Sequence, residues 1–186
     1  MDYFRNGKDV MEPWIETVNG NKFWYTGEDT SGIEIEDIAH ALSNVCRYTG
    51  HCHSFYSVAE HSILVALLVP KHKRLWALLH DASEAYLADM ASPVKQLLPE
   101  YKALEHRIMV RIAKKFGLPD RFWEDKDIKQ ADWAQLKAEA KVLLPSGGKD
   151  WYFPDTVGTG LEPNCISSNQ AKMEFIDFYQ DCLDRL

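Results

Sequence analysis

His80 and Asp81 follow Trp76-Ala-Leu-Leu79 directly, at a point where helical periodicity would otherwise continue an apolar face. Two polar groups set beside a core need partners, because burying them unpaired costs several kcal/mol, and a divalent metal satisfies an imidazole and a carboxylate together. An isolated His-Asp pair ordinarily hydrogen-bonds locally and turns its carboxylate to solvent. Two further residues change that balance. His61 stands at the start of the apolar run 63–69, and Asp132 interrupts the stripe Ile128, Asp132, Leu136 at i, i+4, i+8. Each is weak alone. Together they are two imidazoles and two carboxylates from three separate helical segments, a set that can converge in the core of a bundle. Mixed N and hard O donors suit one divalent ion drawn from Mn, Co, Fe, Ni, Mg or Zn.

The elements that must position these residues read as mostly helical. Asn19-Gly20, between the apolar stretches 14–18 and 22–25, signals a β-hairpin with a type I′ turn. Ile35, Ile38, Leu42 and Val45 have the spacing of a first buried helix face. Ser57-Val-Ala-Glu60 has the form of a capping box, so a second helix starts there and ends at Pro70. A third helix contains Leu75, Leu78, Leu79 and Ala82 and carries His80-Asp81 inside it. A fourth runs from about 99 to 116, stopped by Gly117 and Pro119; a fifth covers 126–144, and a sixth runs from 168 to the C-terminus. The stretch 145–163, with Gly147, Gly148, Gly158 and Gly160, reads as a long surface loop. The expected architecture is an all-α bundle with a small N-terminal β-hairpin. It forms one domain, divided into a hairpin region 1–32, a catalytic helical core 33–144, and a loop and C-terminal helix 145–186.

Composition sets limits on what this domain does. With 186 residues, a net charge of −7 and 46% apolar residues, a single self-sufficient core is expected. No apolar run approaches the ~20 residues of a membrane span. An acidic chain without a Lys/Arg run is poorly suited to polymeric nucleic acid, whose binding rests on neutralising many phosphates. Four cysteines with no CxxC spacing and no signal peptide ahead of them fit free thiols in a cytoplasmic protein.

His61, His80-Asp81 and Asp132, in that order, resemble the H…HD…D signature of the HD-domain metal-dependent phosphohydrolases. The likeness extends to the flanks. Tyr56-Ser-Val-Ala-Glu-His61-Ser, His80-Asp-Ala-Ser-Glu84 followed by Asp89, Ser92-Pro-Val-Lys95, Tyr101-Lys-Ala-Leu-Glu105 and Lys129-Gln-Ala-Asp132 are similar to the bacterial 5′-deoxynucleotidases. Leu42-Ser-Asn-Val-Cys-Arg-Tyr-Thr-Gly-His51 is more similar to compact phage and prophage members, among them the dATP triphosphohydrolases. The resemblance covers about residues 33–132.

What the resemblance implies is specific. His61, His80, Asp81 and Asp132 would be the metal ligands. Glu84, one helical turn beyond His80, and Asp89 would be the catalytic carboxylates near the reacting phosphate. Arg47, Tyr48, His51 and Lys95 would contact substrate, with His53 as a further donor, and Tyr48 would lie against the sugar where the 5′-deoxynucleotidases carry Trp. The expected activity is hydrolysis of phosphate esters or anhydrides of 2′-deoxynucleotides, deoxyadenylates (dATP, dADP, dAMP) foremost. The expected partner is this small molecule, with no membrane, in a homo-oligomer. The competing expectation is a non-catalytic HD module that binds nucleotide or metal as a sensor.

Overall fold

The computed structural model describes residues 12–155 and 157–184. Strands β1 (Trp14–Glu16) and β2 (Lys22–Trp24) pair antiparallel with Ile15 opposite Phe23. The turn between them is not the two-residue type I′ that Asn19-Gly20 suggests. Thr17 receives the Gly20 N–H at 2.9 Å and gives its own N–H to Asn21 O at 2.9 Å, and within this turn only Gly20 has positive φ. This is the three-residue loop that ends in a glycine bulge. The hairpin is fastened to the first helix by Asp37, whose carboxylate accepts from Asn19 N at 3.1 Å and Asn21 Nδ2 at 3.3 Å.

Among the described residues eight α-helices follow: α1 (Ile35–Asn44), α2 (Val58–Leu67), α3 (Arg74–Leu78), α4 (Glu84–Leu87), α5 (Ser92–Lys95), α6 (Pro99–Phe116), α7 (Lys126–Leu143) and α8 (Ser168–Leu183). Helix α2 is the axis of the bundle, packed by α1, α3, α7 and α8. Every residue from Val58 to Ala66 is buried, so this helix is apolar nearly all round, as a central helix must be. Ile38, Leu42, Val65, Leu78, Ile108, Ile112, Ile128 and Phe175 share the core around it. Among the described residues no helix is long and apolar enough to cross a membrane.

Three local expectations are corrected. Half of the capping box forms: Ser57 Oγ accepts from Glu60 N at 3.1 Å, but the Glu60 carboxylate accepts instead from the backbone N–H groups of Asn164, Cys165 and Ile166 at 2.7–3.1 Å. Helix α2 ends at Leu67, before Val69 and Pro70. His80-Asp81 does not lie inside a helix, because α3 stops at Leu78. From there the backbone tightens to bonds three residues apart (His80 N to Ala77 O, Ala82 N to Leu79 O, Glu84 N to Asp81 O), and His80 Nδ1 takes a second share of the Ala77 carbonyl at 2.7 Å. A side chain that competes for its own helix's carbonyls ends that helix.

The stretch 145–163 is irregular, as expected, yet it is tied down. Gln135, fully buried on α7, pairs its side-chain amide with both backbone groups of Leu161, each bond 3.0 Å long. At Gly160 a Cβ would overlap the Ala134 carbonyl, so only glycine allows the loop to lie this close to α7.

Candidate metal centre

The four residues expected to ligate a metal come from three places: His61 from α2, His80 and Asp81 from the tight turn after α3, and Asp132 from α7. The fold brings donor atoms of His61, His80 and Asp81 into one group, with Asp132 facing the two histidines from α7. His61 Nε2 lies 3.6 Å from Asp81 Oδ2 and 3.3 Å from Asp132 Oδ1; His80 Nε2 lies 3.2 Å and 4.0 Å from the same two oxygens. Donors held at about 2.1 Å from one ion stand roughly 3.0–3.5 Å apart, a range that the 3.2, 3.3 and 3.6 Å separations match or approach. The imidazoles are buried, while the Asp81 and Asp132 side chains are 24% and 31% exposed, so the centre opens on its carboxylate side.

Both histidines are oriented from behind. His80 Nδ1 faces a carbonyl, which can only accept, so that nitrogen carries a proton and Nε2 is the atom turned to Asp81. His61 Nδ1 lies 2.7 Å from Glu139 Oε1. Both Nε2 atoms are buried without a hydrogen-bond partner among the described residues. An imidazole fixed through Nδ1 with a bare, buried Nε2 is what a histidine ligand requires.

Glu139 is the main residue that the sequence did not single out. Fully buried on α7, it accepts from Arg47 Nε at 3.1 Å, Tyr48 Oη at 2.8 Å and Tyr56 Oη at 2.7 Å as well as facing His61. Burial opposes its charge, but Arg47, His61 and these hydrogen bonds prevail and hold its pKa at about 2. Burial and Arg47 likewise disfavour an imidazolium at His61, and the Glu139 and Asp132 carboxylates outweigh them, lifting it to about 9 in the metal-free protein. Burial raises and His80, His61 and Arg47 lower the Asp81 carboxyl, with the lowering dominant. A usable signal for Glu139 existed: Asp132, Gln135 and Glu139 at i, i+3, i+7 place three polar residues on one face of α7.

The expected catalytic and substrate residues are placed as follows. Glu84 begins α4, is 4% exposed, and has one carboxylate oxygen, Oε2, without a partner among the described residues. Burial first, then the charges of Asp81 and Asp89, push its pKa well above the ordinary carboxylate range. Asp89 is half-buried beyond the positive-φ residue Ala88, near enough to act electrostatically on Glu84 and Arg47. Lys95 does not stand free: its ammonium lies 2.7 Å from Glu105 Oε1 and 3.4 Å from Glu84 Oε1. Arg47 and Tyr48 lie in a 3₁₀ turn (Arg47–Gly50) after α1, not on α1 itself, with Tyr48 and Thr49 at positive φ. Arg47 spends Nε on Glu139 and directs Nη1 to within 3.8 Å of Asp81 Oδ2. Both His51 and His53 are exposed, outside the group of converging donors.

This fold and site define a helical domain with a candidate His/Asp metal centre reached through its carboxylates. Over 138 residues the chain is 42% identical to "Uncharacterized protein YfdR" of Escherichia coli (strain K12), covering 74% of this chain and 76% of that protein. It is 37% identical over 146 residues to "Uncharacterized protein RCAP_rcc00048" of Rhodobacter capsulatus, covering 72% and 74%. The chain belongs to the family of these two proteins. No protein-family model matches it.

Proposed function

We propose that this chain is an HD-type, metal-dependent phosphohydrolase that cleaves phosphate esters or anhydrides of 2′-deoxynucleotides, deoxyadenylates foremost. The observation that carries the reading is the pair of buried Nε2 atoms on His61 and His80, which converge with Asp81 and face the Asp132 carboxylate. What a divalent ion supplies in such a site is Lewis-acid neutralisation of phosphate charge and a more acidic water. His61, His80, Asp81 and Asp132 would hold it.

The chain's own residues do the rest. Glu84, kept protonated by burial and by the negative charges of Asp81 and Asp89, gives a proton to the departing oxygen. Lys95, between Glu84 and Glu105, holds the Glu84 carboxyl in place. Arg47 is a buried cation that reaches from Glu139 to Asp81, and its terminal nitrogens offset the charge that develops on phosphate. A deoxynucleotide monophosphate needs few cations, which suits an acidic chain.

The test is phosphate or polyphosphate release from a panel of ribo- and deoxynucleotides, titrated with each divalent metal. Metal-dependent turnover of deoxynucleotides is expected. Tight binding of metal and nucleotide without turnover would replace the enzyme by a sensor module.

A further inference from the structure

We propose that Trp151 is the stacking platform for the purine base of the nucleotide, one ring beyond Tyr48. This rests on the deoxynucleotide reading above and adds the part of the site that meets the base. A row of aromatic rings runs Tyr48, Trp151, Phe153, Trp133, with centroids 6.1, 6.3 and 6.2 Å apart. One end is tied to the centre: Tyr48 Oη donates at 2.8 Å to Glu139, the carboxylate that faces His61 Nδ1. The row therefore starts at the Arg47–Glu139 side of the centre.

The rings are not equivalent. Phe153 and Trp133 meet edge to face and are partly buried, which anchors the loop to α7. Trp151 is 41% exposed, although anchoring needs no open indole face. The Arg47 guanidinium carbon lies 5.4 Å from the Tyr48 ring centre, and its Nη1 lies 3.8 Å from Asp81 Oδ2. Allowing about 1.3 Å for the intervening C–N bond, the Tyr48 ring stands within about 11 Å of the Asp81 carboxylate. With phosphate at the centre and deoxyribose at Tyr48, the base falls one ring further out, at Trp151. An indole face attracts any base, and the larger purine gains more contact than a pyrimidine.

The test is calorimetric binding of dAMP and of 2-deoxyribose 5-phosphate to the full chain in EDTA, where no turnover enters. Trp151→Ala is expected to weaken dAMP about tenfold to a hundredfold, the range of a lost base–aromatic stack. The sugar phosphate should bind wild type and variant alike. Trp151→Phe should retain most of the dAMP affinity, and Tyr152→Ala, at a neighbour that is 82% exposed, should retain all of it. Unchanged dAMP affinity in Trp151→Ala overturns the platform, as does an equal loss for the sugar phosphate or failure of the wild type to bind dAMP. Phosphate release is assayed separately: if none occurs while dAMP binding still depends on Trp151, the hydrolytic reading falls and the platform stands.

Discussion

Glu139 Oε1 lies 2.7 Å from His61 Nδ1, and the same carboxylate accepts from Arg47, Tyr48 and Tyr56. One buried anion thus orients a candidate metal-ligand imidazole, neutralises a buried guanidinium and ties the 3₁₀ turn to α7. Removing a partner that orients a ligand histidine typically lowers metal affinity about 10- to 100-fold. Glu139→Gln should show that loss in a competition titration with a chelating dye. Glu139→Ala leaves Arg47 buried without its counter-ion and should cost about 3–5 kcal/mol in urea unfolding. Wild-type metal affinity in the Gln variant would show that His61 needs no support from behind.

Glu84 is expected to act as an acid, since burial and two neighbouring carboxylates favour its neutral form. Glu84→Gln should lower turnover by about 10² or more with the metal still bound. In the wild type, turnover should fall as pH rises through the elevated Glu84 pKa, and the Gln variant should lose that alkaline limb. Metal analysis of the purified variant separates the alternatives: a metal-free Glu84→Gln protein moves Glu84 into the coordination shell.

The candidate His61-His80-Asp81 cluster and the long helices were legible because both express themselves locally. Polar residues interrupt the apolar stripes at 61, 80–81 and 132, and α6 has Pro99 at its first position and Gly117 as its left-handed cap. Tertiary partnerships were not legible in this way. Glu60 sits where a capping-box glutamate belongs, and only the chain's return at 164–166 shows that its carboxylate serves a distant backbone. Glu139 shares a polar face of α7 with Asp132 and Gln135, but that spacing does not name Arg47, Tyr48, Tyr56 and His61 as the groups that converge on it. The break at Leu78 was hidden for a related reason, since the apolar period continues through Leu79 and Ala82 while the His80 side chain diverts the hydrogen bonding.

Away from the metal centre, Asp125 couples the start of α7 to the segment before α3. Its side chain caps the helix by accepting from Asp127 N at 2.9 Å and receives Lys73 Nζ at 2.9 and 2.8 Å. Burial is the largest single influence and opposes the charge, but Lys73 and the backbone N–H groups of Asp127 and Ile128 together prevail, and its pKa is lowered from the usual 3.8. A carboxyl depressed in the folded state stabilises it above the unfolded pKa, and this is lost as pH falls through the folded one. The stability gap between wild type and Asp125→Asn should therefore be constant above about pH 5 and shrink below about pH 4. Thermal midpoints measured from pH 3 to 7 decide this, and a gap that widens in acid would contradict the pairing.

Selectivity for deoxyribose can be tested on Tyr48 by separating its ring from its hydroxyl. The hydroxyl donates to Glu139 Oε2 at 2.8 Å, which pins a ring already set by the positive φ of residue 48. If that ring packs on the 2′ carbon, a ribose hydroxyl meets it as a steric obstacle, and discrimination comes from the repulsive contact. Tyr48→Phe keeps the obstacle and loses only the bond to Glu139, so it should preserve the preference for dATP over ATP at reduced stability. Tyr48→Ala removes the obstacle and should raise ATP turnover relative to dATP. Arg47→Lys preserves charge but cannot span Glu139 and Asp81 with a planar fork, so it should lose activity on both nucleotides without changing their ratio. Rates for the two nucleotides across the three variants give the answer. A dATP to ATP ratio that is the same in wild type, Phe and Ala would make Tyr48 a support for Glu139 and nothing more.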